Sequence, residues 1–187
     1  MATTASSPSP VAVRALSWLA DGASNVPSNF YHFVTPWFIP GATLEQVWPL
    51  ISDATTFPKW WSSVFLEVTP EAGHGDGAPI GSRYRYHTKG WLPYHLRWTA
   101  EVTAIEPTTM IEISATGDFN GVGRWTLQQH ANAVTARLDW DIRADLALLK
   151  ALSPVLKPLF SWNHQWAMKE GEKGLILHLG RQRLAAR

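Results

Sequence analysis

Between residues 134 and 144 the chain alternates without a break. Val134, Ala136, Leu138, Trp140, Ile142 and Ala144 interleave with Thr135, Arg137, Asp139, Asp141 and Arg143. Residues 94–103 repeat the pattern, with Tyr94, Leu96, Trp98, Ala100 and Val102 set against His95, Arg97, Thr99, Glu101 and Thr103. A period of two puts one set of side chains in a core and the other in water, the signature of antiparallel strands wet on one face. Turn chemistry at 73–79, 89–93, 106–109, 117–121 and 130–133 separates strand-length segments. Such short connections predict a meander in which neighbours in sequence pair.

What flanks the meander sets the rest of the fold. Asn29–Ile39 reads as a first strand, interrupted near its end by Pro36. In Thr43-Leu44-Glu45-Gln46, a Thr is followed three residues later by Gln. That capping box opens a short helix over 44–51, strained by Pro49, and the FPKWW segment adds a second helical turn. After the strands, Ser153-Pro154 reads as a helix start and Gly180 as its stop, with Pro158 kinking or dividing the first turn. A helix over 154–179 would run roughly 39 Å at about 1.5 Å per residue. The expected fold is therefore α+β: a seven-stranded curved antiparallel sheet, two short helices after its first strand and one long C-terminal helix. The expected organisation is a flexible N-terminal tail (1–28), one ligand-binding domain (29–180) and a basic C-terminal tail (181–187).

Such a sheet needs a cover, and only the final helix is long enough to provide one. One helix cannot fill a strongly twisted concave face, so a cavity is expected, walled by Tyr84, Tyr86, Leu96, Trp98, Ile111, Ile113, Trp125, Leu127, Leu138 and Trp140. The helix presents Leu156, Phe160, His164, Ala167, Met168, Gly171 and Leu175 toward it at spacings of three and four. Small residues there either bring the helix close or leave room for a ligand. The 11 Trp, 7 Phe and 4 Tyr residues supply either a well-filled core or a pocket for a flat, greasy molecule.

The remaining totals exclude chemistry. There is no cysteine, which removes disulfide, thiolate and zinc–thiolate sites. A net charge of +1 without long runs of one sign gives no nucleic-acid footprint. No apolar stretch spans a bilayer, and the start of the chain carries no convincing signal peptide, so a cytoplasmic location is expected. The 7 histidines form neither HxH nor HExxH, so neither a metal site nor a cofactor is expected. Gly73–Gly77 lacks the spacing and Lys of a phosphate loop, and reads as a flexible loop at the cavity mouth.

His164 is the leading candidate for acid–base chemistry, being an imidazole on the apolar face of the helix beside Asn163; the alternative is a core histidine. Tyr84 and Tyr86 share one strand face and could hold a ligand carbonyl, unless that face points outward and Arg83 and Arg85 point inward. Trp60 and Trp61 offer either an exposed aromatic patch for a partner or a helix closing the cavity. Arg124, Arg137, Asp139, Asp141 and Arg143 read as cross-strand charge pairs on the wet face.

The segments PGATLEQVWPLISDATTFPKWW, IGSRYRYHTKGWLPYHLRW, GDFNGVGRWTL and above all KPLFSWNHQWAMKEGEKGL carry a resemblance. Over roughly residues 30–180 the chain resembles the SRPBCC superfamily of START, birch-pollen-allergen-like and polyketide cyclase/dehydrase domains. That resemblance implies a helix-grip fold enclosing a hydrophobic cavity. It implies a small hydrophobic ligand (lipid, polyketide or aromatic metabolite) in contact with Trp98, Trp125, Trp140, Leu96, Leu127, Leu138, Phe160, Asn163, Met168 and Gly171. The alternative it implies is a polyketide cyclase or dehydrase in which His164 moves the proton and Tyr84 or Tyr86 holds the carbonyl.

Overall fold

The computed structural model describes residues 30–71, 79–91, 94–144 and 147–185. The expectations for the N-terminal tail, Gly73–Gly77 and the side chain of Leu156 lie outside the described residues. Strand β1 (Phe30–Pro40) leads into helix α1 (Leu44–Ser52), a 3-10 turn (Ala54–Thr56) and the single-turn helix α2 (Phe57–Trp60). Six strands follow: β2 (Phe65–Pro70), β3 (Arg83–Lys89), β4 (His95–Glu106), β5 (Met110–Gly117), β6 (Phe119–His130) and β7 (Ala133–Ala144). Helix α3 (Ala147–Ala185) closes the chain. The seven strands form one antiparallel sheet in the order β1-β7-β6-β5-β4-β3-β2, so the first strand returns to pair with the last. This is a helix-grip fold, a curved sheet around a long C-terminal helix.

Local chemistry explains the elements. The capping box forms as read: Gln46 Oε1 accepts the backbone N–H of Thr43 at 3.2 Å, and Thr43 returns the bond to the third residue of α1. On β4, Ala100 and Val102 are buried while His95, Arg97 and Glu101 are exposed; on β7, Val134, Ala136, Leu138 and Trp140 are buried.

The long helix departs from its sequence signals at both ends. It extends from Ala147, seven residues before Pro154, and continues through Gly180 to Ala185. On both sides of Gly180 it still has tertiary support: Leu179 is buried, and the Arg183 guanidinium reaches Gln46 Oε1 at 3.5 Å. Tertiary contact outweighs the weak helix-stopping preference of one glycine.

Trp60 and Trp61 are buried, which rules out an exposed aromatic patch there. They join Trp37 and Phe57 in a cluster of ring contacts where α2 meets α3. The glycines of α3 make this possible. A Cβ on Gly171 would overlap the Trp61 indole, and one on Gly174 would overlap the Trp60 carbonyl oxygen. Trp61 Nε1 donates to the Ala167 carbonyl at 2.9 Å, tying the two helices together. Gly171 thus serves close helix approach and leaves no space for a ligand. On the wet face, Arg124 pairs with Glu112 across strands, whereas Arg137 pairs with Asp139 along its own strand.

Candidate functional site: an aromatic-walled cavity under the long helix

Between α3 and the concave face of the sheet lies a cavity of about 220 Å³. A single water needs only about 10–15 Å³ on the same scale, so the space is that of a small organic molecule. Thirteen of its lining residues are Phe, Tyr or Trp, and they include all 4 tyrosines of the chain. The aromatic excess in the sequence is therefore placed in part on a cavity wall.

Each wall follows from an element. The inward positions of β4 to β7 supply Leu96, Trp98, Ile111, Ile113, Trp125, Leu138 and Trp140. Helix α3 supplies Phe160, Asn163, His164, Ala167 and Met168 at helical spacing. On β3, Tyr84 and Tyr86 face inward and are buried, while Arg83 and Arg85 are exposed, which settles the face that the sequence left open. Leu127 and Gly171 lie off the cavity lining, packed in the core instead. Sequence reasoning missed Tyr31 and Phe33 of β1, Tyr94 ahead of β4, and the closing residues Ile51, Ala54 and Phe57. Tyr31 and Phe33 carry the same period-two signal as the other strands; the α1–α2 residues enter only through the tertiary fold.

His164 lies against β1. Its imidazole stacks on Phe33, with centroids 4.0 Å apart and planes 15° from parallel. Its Nε2 is 3.4 Å from Thr35 Oγ1. Burial among these apolar neighbours disfavours the charged form and lowers its pKa to about 4. At neutral pH the ring is an uncharged acceptor and donor, not a cation.

The tyrosines move the other way. Burial raises Tyr86 above the ordinary phenol range, with the neighbouring Tyr84 and Asp53 adding to the shift. It also raises Tyr84, reinforced by the Asp53 carboxylate and offset in part by Ser82. Tyr94 is pushed up to about 12, by burial first and then by Tyr31. Tyr84, Tyr86 and Tyr94 therefore keep their protons at neutral pH.

Asn163 has a structural engagement as well as a place on the wall. Its Oδ1 accepts the Trp91 backbone N–H at 2.8 Å, and a Cβ on Gly90 would overlap the same amide. The β3–β4 turn is thereby tied to α3 at one end of the cavity. Among the described residues, Lys89 and Asp118 are the charged groups on the lining; Asp118 Oδ2 accepts the Arg97 backbone N–H at 2.7 Å. Among the described residues no group of three or more His, Cys, Asp or Glu side chains could hold a metal ion. Among them, too, no helix is long and apolar enough to cross a membrane.

Residues 32–175 match the family described as polyketide cyclase / dehydrase and lipid transport. No curated protein matches the chain by sequence. Among solved structures, the Zhui aromatase/cyclase from Streptomyces sp. R1128 is similar with a TM-score of 0.68 at 14% identity, covering 84% of this chain and 98% of that one. The protein TTHA0849 from Thermus thermophilus is similar at 0.62 and 18%, covering 79% and 99%. A START superfamily protein from Mycobacterium smegmatis is similar at 0.60 and 15%, covering 81% and 98%. At these identities the likeness is one of fold.

Proposed function

The chain belongs to the polyketide cyclase / dehydrase and lipid transport family, and from that premise we propose that it binds a small hydrophobic ligand, a lipid, polyketide or aromatic metabolite, in the cavity beneath α3. The observation that carries this reading is the cavity itself, about 220 Å³ walled mainly by apolar and aromatic side chains. A few placed polar groups in such a wall fix orientation while apolar burial supplies affinity. Trp98, Trp125, Trp140, Leu96, Leu138, Phe160 and Met168 would make the apolar contacts. The test is a titration with 1-anilinonaphthalene-8-sulfonate and with a long-chain fatty acid, read by quenching of the wall tryptophans. Saturable binding that competes between the two supports the reading. No saturable binding, or dye binding only to the denatured chain, overturns it.

A second reading is favoured by one observation, the presence of a half-buried imidazole and two inward phenols on one cavity. It makes the protein a polyketide cyclase or dehydrase. Tyr84 or Tyr86 would donate to a ketone oxygen and stabilise the enolate formed when a proton leaves the adjacent carbon. His164, neutral at pH 7, would accept that proton; the enolate carbon then attacks a second carbonyl of the chain, and proton return to its oxygen allows loss of water. The confining wall would favour folded over extended chains. Turnover of a reactive poly-β-ketone that is lost in His164→Gln, with ligand binding retained, supports this reading; unchanged turnover in that variant removes His164 from it.

A further inference from the structure

We infer that Tyr86 and Tyr94 are two separate hydrogen-bonding posts, and that the ligand is an elongated apolar molecule carrying acceptor oxygens at two levels of the cavity. The inference rests on the ligand-binding reading above and specifies the ligand's chemical class.

Both side chains line the cavity, and neither hydroxyl has a hydrogen-bond partner among the described residues. Tyr86 is buried and Tyr94 half-buried, and to the extent that a phenol is withdrawn from bulk water it forfeits hydrogen bonds unless something inside replaces them. Each ring is held in place. Tyr86 lies parallel to Trp98, with centroids 4.0 Å apart and planes 5° from parallel, and meets Phe65 edge-on at 5.9 Å. Tyr94 leans on Phe160 of α3 at 6.2 Å.

Strand register sets their separation. Tyr86 pairs with Trp98, and Lys89 pairs with His95, the residue after Tyr94. The two tyrosines therefore lie at least three residue steps apart along the strands, about 10 Å at roughly 3.3 Å per step. Leu96 is the inward residue of β4 between Tyr94 and Trp98. The hydroxyl of Thr88 is already engaged, accepting from Trp98 Nε1 at 3.2 Å and facing the Leu96 carbonyl at 3.5 Å. A ligand with a single polar head would satisfy one post and leave the other unmet.

The test compares undecan-2-one with undecane-2,10-dione, whose carbonyls stand near the two ends of a chain of equal length, by isothermal titration calorimetry. The diketone should bind about tenfold more tightly, the gain expected from one further good hydrogen bond. Tyr94→Phe and Tyr86→Phe should each bring the diketone close to the affinity of the ketone. Retained ketone binding in Tyr94→Phe shows at once that this variant is folded. Equal affinity of the two compounds for the wild type overturns the inference while cavity binding stands. So does a Tyr94→Phe variant that weakens both compounds equally, since that marks a packing role. If neither compound binds while 1-anilinonaphthalene-8-sulfonate and a fatty acid do, the inference falls and the ligand-binding reading stands; if none of them binds, both fall.

Discussion

The six-membered ring of Trp140 covers Gly123, its register partner on β6, so closely that a Cβ on the glycine would overlap ring atoms. Both residues line the cavity, so this contact sets how far the indole stands from the sheet. Gly123→Ala should push the Trp140 ring into the cavity. Overpacking of this kind costs about 1–3 kcal/mol. Bulky ligands should lose more affinity than slim ones, and Trp140→Phe in the same chain should restore them. Parallel thermal unfolding and ligand titrations on the single and double variants check both effects.

Gly174 and Gly180 lie on the same helix in opposite circumstances. A Cβ on Gly174 would run into the Trp60 carbonyl oxygen, whereas one on Gly180 would meet nothing within 4 Å. Alanine improves helix propensity by up to about 1 kcal/mol at either position. Gly180→Ala should therefore stabilise the protein slightly. Gly174→Ala should destabilise it by about 2 kcal/mol net and lower Tm by roughly 4–8 °C, because a backbone oxygen cannot swing aside as a side chain can. Differential scanning calorimetry of the two variants gives shifts of opposite sign.

Asn163 is predicted to matter more for stability than for affinity. Its Oδ1 holds the Trp91 amide, and its side chain is buried under Gly90. Asn163→Ala removes that acceptor, at a cost of about 1 kcal/mol or somewhat more. The Trp91 amide should then exchange with solvent much faster, a change visible by hydrogen exchange. Affinity for 1-anilinonaphthalene-8-sulfonate should fall by less than the stability change implies. A large affinity loss with little change in Tm would make Asn163 a direct ligand contact instead.

The sheet was legible because its information is local. The alternation in β4 and β7 needs no partner to be read, and the Thr43–Gln46 box lies within four residues. The wall residues Trp98 and Trp140 followed from that alternation. Other features depend on partners far away in sequence. Gly171 and Gly174 face the tryptophans that follow α1, more than a hundred residues earlier, so the smallness of Gly171 could equally be read as space for a ligand. Ser153-Pro154 has the chemistry of a helix start, yet α3 begins at Ala147. Leu127 shares the inward face of β6 with Trp125 but lies off the cavity, a position that strand periodicity cannot distinguish from the wall.

His164 should make the protein acid-sensitive. In the unfolded chain its imidazole gains a proton near the ordinary histidine pKa of 6.5, but in the fold, burial holds the pKa to about 4. Below 6.5 the unfolded state thus binds a proton that the native state refuses, and stability falls as pH drops from there toward 4. The full contribution is bounded at about 3.5 kcal/mol, from a fall of about 2.5 units at about 1.4 kcal/mol per unit. His164→Gln keeps a polar side chain of similar reach and cannot titrate. Urea unfolding at intervals between about pH 7.5 and 4 should therefore show the wild type losing stability relative to the variant across that window, and tracking it above about pH 7. Parallel curves over the whole range would place the native imidazole in water, and would contradict the half-buried ring stacked against Phe33. The same titration bears on chemistry: a proton-transfer role for His164 predicts activity that declines on the acid side near pH 4, well below the range of an exposed histidine.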